Sequence, residues 1–202
     1  MHIHILGICG TFMGGLAALA REAGHRVTGC DAGVYPPMSD QLRALGIDLI
    51  EGFGADQLAL RPDVFVIGNV VTRGNPLMEA ILDAGAAYTS GPQWLAEHVL
   101  QGRHVVAVAG THGKTTTTAI LAQLLHAGGR DPGFLIGGVP RGFDRAARLG
   151  SPGAPFVIEG DEYDSAYFEK TPKFWQYNPR VVILTSVEHD HVDIYPDPAS
   201  YR

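Results

Sequence analysis

Ala107-Val-Ala-Gly110-Thr-His-Gly113-Lys114-Thr115-Thr116 is the stretch from which the rest of the chain is read. Ahead of its first glycine, His104-Val-Val-Ala-Val-Ala109 is β-branched and almost free of charge, which predicts a short buried strand. After it, Thr115 to His126 reads as a helix, with Ile120, Leu121, Leu124 and Leu125 as its apolar stripe. A strand, a Gly-rich turn, Lys-Thr and a helix form a cradle for a polyphosphate. Glycines let backbone N–H groups approach the phosphate oxygens, and a helix N-terminus adds partial positive charge. Lys114 supplies a point charge for the β- and γ-phosphates, and the Thr115 hydroxyl is placed to ligate Mg²⁺. The common form of this loop has a further glycine where this chain has Val108, so the loop here is expected to be tighter.

Upstream, Ile3 to Leu6 predicts a buried strand ending in Gly7-Ile-Cys-Gly10-Thr11-Phe-Met13-Gly-Gly15. A helix follows with Met13, Leu16, Ala17 and Ala20 on one face, and Arg26 to Cys30 gives a second strand ending at Asp31. This βαβ unit has a Gly-rich first turn and an acid at the end of strand two, placed to bind a ribose hydroxyl. The dinucleotide pattern G-x-G-x-x-G is broken by Cys9 and Phe12, so the turn indicates a phosphate at a helix N-terminus rather than a particular nucleotide. Alternation continues with a helix from Met38 to Leu45, strands at 47–50, 63–68 and 86–89, a helix begun by Pro76, and one from Trp94 to Leu100 opened by Ser90-Gly-Pro-Gln93. Repeated β-then-α units imply a parallel sheet with helices on both faces. Ligands then sit at the carboxyl ends of strands, where Gly7, Asp31 and Asn69 fall. Gln101-Gly-Arg103 is a polar joint, which divides the chain into domains 1–101 and 102–202.

Downstream, Phe134 to Ile136 is a short strand and 137–155 a Gly- and Arg-rich surface loop. Phe156-Val-Ile-Glu159-Gly-Asp161-Glu162-Tyr-Asp164 is an apolar strand running into acids, the pattern of a Mg²⁺-holding carboxylate beyond a phosphate loop. Glu159, at the strand end, is favoured among the four. Val181 to Thr185 is the next strand, leading to Ser186-Val-Glu188-His189-Asp190-His191-Val-Asp193. H-x-H among acids is compatible with zinc, but no cysteine or H-E-x-x-H accompanies it, and a magnesium-assisted phosphoryl site accounts for it better.

With 202 residues, 46% of them hydrophobic and 18% charged, the composition is that of a globular, soluble protein, and the β-then-α alternation makes its fold class α/β. No apolar run approaches the ~20 residues of a membrane span, and Met1-His-Ile-His-Ile has no export-signal pattern, so a cytoplasmic location is expected. A net charge of −6 without a basic cluster argues against nucleic acid as a partner. Cys9 and Cys30 read as reduced core residues.

Together these motifs resemble the Mur ligases of bacterial cell-wall synthesis. Gly110-Thr-His-Gly-Lys-Thr-Thr116 is similar to that family's phosphate loop, G-T-x-G-K-T-[TS], which dispenses with the missing glycine. The turn Gly7–Gly15, Glu159-Gly-Asp-Glu162 and Glu188-His-Asp-His-Val-Asp193 resemble three further family motifs in the same order. The chain departs from the family pattern at Gly160, Ser186 and His189. The resemblance implies a Rossmann-like domain that holds UDP-N-acetylmuramate through Gly7, Gly10, Thr11, Met13, Asp31 and Asn69. It implies part of a P-loop-type ATPase domain that holds ATP through Gly110, Thr111, His112, Gly113, Lys114, Thr115 and Thr116. Thr115, Glu159 and His191 are implied as Mg²⁺ ligands, and Lys114, Glu159 and His191 as catalytic. The implied reaction is ATP-driven amide formation through an acyl phosphate. Tyr163, Phe168-Glu-Lys170, Lys173-Phe174, Tyr177-Asn-Pro-Arg180 and Gly68–Pro76 resemble the branch that reattaches the recovered murein tripeptide L-alanyl-γ-D-glutamyl-meso-diaminopimelate. The alternative within the family is the branch that adds L-alanine. The resemblance also implies the rest of the ATPase domain and a third domain beyond residue 202, so these residues are not expected to turn over by themselves. Outside the family, the first βαβ unit leaves open a nicotinamide-dependent dehydrogenase, and the phosphate loop a nucleotide-dependent switch.

Overall fold

The computed structural model describes residues 1–188. Its first half alternates strands and helices: β1 (His2–Leu6), α1 (Thr11–Glu22), β2 (Arg26–Asp31), α2 (Met38–Ala44), β3 (Asp48–Glu51), a 3₁₀ turn (Ala55–Leu60), β4 (Val64–Ile67), α3 (Pro76–Asp83), β5 (Tyr88–Ser90) and α4 (Gly91–Leu95). The five strands are all parallel, in the order β3-β2-β1-β4-β5. Strand order reverses between β1 and β4, and a cleft opens there at the carboxyl ends. Local chemistry sets the helix starts. The Asn75 side chain accepts the amides of Leu77 and Met78 at 3.1 Å ahead of Pro76, and Ser90 Oγ accepts that of Gln93 at 3.3 Å. The helix expected at Trp94 thus starts at Gly91, its cap being Ser90, and relaxes into a wider π turn over Ala96–Leu100.

The second half comprises β6 (Val105–Ala109), α5 (Lys114–Ala127), β7 (Gly133–Leu135), β8 (Ala147–Arg148), β9 (Phe156–Gly160), β10 (Asp164–Ala166), β11 (Glu169–Pro172), α6 (Lys173–Gln176) and β12 (Val181–Leu184). Its sheet runs β12-β6-β9-β7-β8 and is parallel except for the β7–β8 pair. Three expectations are corrected here. The loop expected over 137–155 contributes β8. An antiparallel hairpin, β10–β11, and the short helix α6 follow β9 unannounced, because strands of three or four residues are too brief to show a two-residue period. And the α5 stripe is only half used. Leu121 and Leu125 pack on the sheet while Ile120 and Leu124 are 52% and 64% exposed, since the residues buried on that face are the small Thr118 and Ala122.

The two sheets share a core. Ile3, Leu16 and Trp94 belong to one apolar cluster with Leu135, Ala147, Phe156 and Tyr177. Helix α1 lies directly on β7 and β8, and a Cβ on Gly15 would meet Leu135 Cδ1, so a larger residue there would have to push that buried side chain aside. The hairpin also clasps the first half: Ser90 Oγ donates to Glu169 Oε2 at 2.6 Å, and the Tyr88 and Phe168 rings meet edge-on at 5.2 Å. Among the described residues no helix is long and apolar enough to cross a membrane.

Under the first sheet, His4 is fully buried. Gln57 donates to Gly52 O at 3.0 Å, which turns its Oε1 towards His4 Nε2, also at 3.0 Å. That oxygen requires a proton on Nε2, leaving Nδ1 to accept from Thr28 Oγ1 at 2.8 Å, while His2 Nε2 lies 3.0 Å from the same hydroxyl. Burial pushes the His4 pKa down to about 4, because a charged ring there loses its hydration. The unfolded chain protonates this ring near 6.5 and the folded chain does not, so the associated stability is complete above pH 6.5. It drains away as pH falls towards 4, by on the order of 3 kcal/mol. Denaturant midpoints measured from pH 8 to 4 should show this slope, and His4→Gln should flatten it whatever its cost at pH 8.

Candidate active site

The phosphate loop leaves β6 at Ala109 and enters α5 at Lys114. Gly110 has φ +128°, and a Cβ there would collide with Thr185 Oγ1 and the Ser186 backbone. The reason is a tight zipper between the loop and the segment after β12. The Thr111 amide donates to Ser186 O at 3.2 Å and the His112 amide to Ser186 Oγ at 3.0 Å. Thr111 Oγ1 donates to Glu188 O and accepts from Glu188 N, both at 2.9 Å. The serine that departs from the family pattern is thus a loop-holding group. Within α5 the first backbone acceptor is Gly113 O, which takes the Thr117 amide at 2.9 Å. The amides of Lys114, Thr115 and Thr116 therefore stand at the open end of the helix, where an anion is favoured. Thr116 and the His112 ring are exposed, the latter 3.8 Å from a Glu188 carboxylate oxygen.

The acids after β9 separate by partner. Glu162 lies 3.1 Å from the Lys114 ammonium, which also donates to Gly110 O at 2.7 Å. Asp161 accepts from Lys173 Nζ at 2.6 Å, and Asp164 from Lys170 Nζ at 2.7 Å. Glu159 alone of the four has no cation partner among the described residues: it accepts the Thr115 hydroxyl at 2.9 Å and the Gly137 amide at 2.6 Å. A carboxylate 2.9 Å from the hydroxyl of a phosphate-loop threonine, with no cation neutralising it, suits a hard divalent cation. No cluster of three or more His, Cys, Asp or Glu side chains that could hold a metal occurs among the described residues. Behind these acids Tyr177 is fully buried, and burial raises its phenol well above the ordinary range, so it stays neutral.

A cavity of about 500 Å³ joins the two halves. Gly7, Gly10, Thr11, Met13 and Asn69 line it from the first sheet, and Thr111, Lys114, Glu159, Asp161 and Lys173 from the second. The expected UDP-holding residues and the phosphate loop thus face one space. Asp31 is different: it is not on the cavity wall, and its Oδ2 accepts the Cys9 amide at 2.8 Å beneath the Gly-rich turn. In this structure its carboxylate holds the turn's shape. His191, expected as a metal ligand, lies outside the described residues. Sequence reasoning missed Gly137, whose amide orients Glu159, although it follows a parallel strand at its carboxyl end, the position where such sites gather. It also gave no role to Glu162 or Lys173, whose meaning depends on partners 48 and 12 residues away.

Residues 2–103 match the family model described as Mur ligase family, catalytic domain, and residues 108–202 match Mur ligase middle domain. The Escherichia coli K12 protein named UDP-N-acetylmuramate–L-alanyl-γ-D-glutamyl-meso-2,6-diaminoheptandioate ligase is 58% identical over 98% of this chain and 43% of its own length. A Roseiflexus UDP-N-acetylmuramate–L-alanine ligase is 39% identical over 100% of this chain and 41% of its own. The crystal structure of the Neisseria meningitides UDP-N-acetylmuramate:L-alanyl-γ-D-glutamyl-meso-diaminopimelate ligase superposes with a TM-score of 0.95 at 56% identity, over 99% of this chain and 64% of that one. The chain spans less than half the length of the curated relatives it matches. With both halves matched in order, on a fold that superposes throughout, the chain belongs to the Mur ligase family.

Proposed function

We propose that these residues are the sugar-nucleotide and phosphate-handling part of an ATP-dependent ligase that joins L-alanyl-γ-D-glutamyl-meso-diaminopimelate to UDP-N-acetylmuramate in peptidoglycan recycling. The observation that carries this reading is the single cavity of about 500 Å³ lined by both the Gly7–Met13 turn and Lys114. A nucleotide-linked acid held by the turn can then present its carboxylate to a phosphate held by the loop. Residues 1–101 are the sugar-nucleotide domain in this reading and 102–202 belong to the ATPase domain. The tripeptide as acceptor, rather than L-alanine, is supported by 58% against 39% identity to the respective ligases. The cytoplasm, where the sugar nucleotide and ATP meet, is the proposed location.

A carboxylate is a poor electrophile at neutral pH, so it must be activated. In the proposed reaction a lactoyl carboxylate oxygen attacks the γ-phosphorus, the bond from that phosphorus to the β–γ bridging oxygen breaks, and ADP leaves. The peptide amine then attacks the acyl carbon, loses a proton and expels phosphate. Lys114 and the open amides of α5 hold the transferring phosphoryl group and offset its charge. Thr115 and Glu159 would hold Mg²⁺, which when bound adds Lewis-acid stabilisation of that charge.

Calorimetric titration of the 202-residue protein tests the substrate. Saturable binding of UDP-N-acetylmuramate and none of NADH is expected. The converse would overturn the reading and favour a dehydrogenase.

A further inference from the structure

Asp161 and Glu162 are consecutive, yet each holds a different lysine: Glu162 holds Lys114, at 3.1 Å, and Asp161 holds Lys173, at 2.6 Å. Lys114 belongs to the phosphate loop. Lys173 belongs to α6, and its ammonium stands 5.3 Å from the centre of the Phe12 ring, in the first turn of α1. Both lysines line the same cavity. Lys173 is only 6% exposed, and a primary ammonium is a costly group to bury for packing reasons. Asp161 is its one hydrogen-bond acceptor among the described residues, and an ammonium has three N–H donors. The remaining donors therefore have capacity for an anion, and a neighbouring aromatic face does not consume it.

The position is informative. One side of Lys173 is the turn that opens α1, and the other is the acid pair that also orients Lys114. Its ammonium lines the cavity that the first domain's nucleotide turn and the phosphate loop share. The hairpin β10–β11 that leads into α6 is fastened to the first domain by Ser90 and Tyr88, so Lys173 is carried on a braced element. Resting on the ligase reading above, we propose that Lys173 is a substrate-positioning and specificity residue: its ammonium receives the carboxylate of the sugar nucleotide and holds it for attack on the γ-phosphate beside Lys114.

The test compares UDP-N-acetylmuramate with UDP-N-acetylglucosamine, which lacks the lactoyl carboxylate, in titrations of the 202-residue protein. A charge-assisted contact implies at least about a tenfold preference for the acidic nucleotide in the native protein. Lys173→Met should collapse that preference by about tenfold while leaving the affinity for UDP-N-acetylglucosamine within about twofold, and Lys173→Arg should restore most of it. The double variant Lys173→Met/Asp161→Asn removes both charges and should still lack the preference. If instead the double variant regains it, exposed Asp161 repulsion explains the single variant and the proposal fails. Equal losses for both nucleotides would assign Lys173 to the diphosphate or to folding, and would likewise overturn it. If the native protein binds neither nucleotide, the ligase reading itself falls and this assignment falls with it.

Discussion

Lys114→Met is expected to lower amide formation about a thousandfold in the longest native chain that carries these residues, measured as acceptor-dependent phosphate release. The size follows from what this ammonium does. It is the cation of the phosphate loop, it is 18% exposed at its side chain, and Glu162 and Gly110 O hold it in place before any ligand arrives. Removing one preorganised charge from a phosphoryl-transfer site costs about 10²–10³ in rate. Methionine also removes the Lys114–Glu162 ion pair, in which Glu162 is 8% exposed, and that loss destabilises the fold independently of catalysis. Lys114→Met/Glu162→Gln removes that penalty. If its thermal midpoint returns towards the native value while phosphate release stays down, the loss belongs to the chemistry; recovery of rate along with stability would refute the role given to Lys114.

Much of this arrangement is written locally and could be read from the sequence. The runs at 3–6, 64–67, 105–109 and 156–158 are strands because they are short, largely apolar and mostly buried, and the glycines and caps between them fix where helices begin. The carboxyl-end rule put Gly7, Asp31 and Asn69 at one sheet edge, and the cavity that Lys114 and Glu159 line from the second sheet touches Gly7 and Asn69 but not Asp31. What escaped depends on partners distant in sequence. Gly15 reads as part of a phosphate turn, but its missing Cβ also makes room for Leu135 Cδ1, 120 residues later. Asp31 reads as a ribose ligand from its place after β2, and the structure adds that one of its oxygens accepts the Cys9 amide, 22 residues away. The α5 stripe counts four apolar residues, yet the sheet beneath selects the face of Thr118 and Ala122. Sequence also presents four acids between 159 and 164 and favours Glu159 only by its place at the strand end. Only the positions of three lysines tell them apart.

That sorting singles out Glu159 as the proposed metal ligand. Asp161, Glu162 and Asp164 each face a lysine, so a divalent cation bound to any of them would have to displace or repel an ammonium. Glu159 has only a hydroxyl and an amide to give up, and the hydroxyl belongs to Thr115, the residue expected to share the cation. Glu159→Gln keeps the size and can still accept the Gly137 amide, so the fold should persist, with a thermal midpoint close to native. Phosphate release in the longest native chain should nonetheless fall by about 10²–10³, since an amide oxygen is a far weaker ligand for Mg²⁺ than a carboxylate. The distinguishing measurement is the Mg²⁺ dependence. The concentration giving half-maximal rate should rise at least about tenfold in Glu159→Gln, a change of the size seen when a metal site loses ligand support, and stay near native in Asp164→Asn. A midpoint that moves with Asp164→Asn and not with Glu159→Gln would transfer the metal to the hairpin side of the loop. Lys170 would then be the group released when the cation binds, because it is the cation that Asp164 now holds at 2.7 Å.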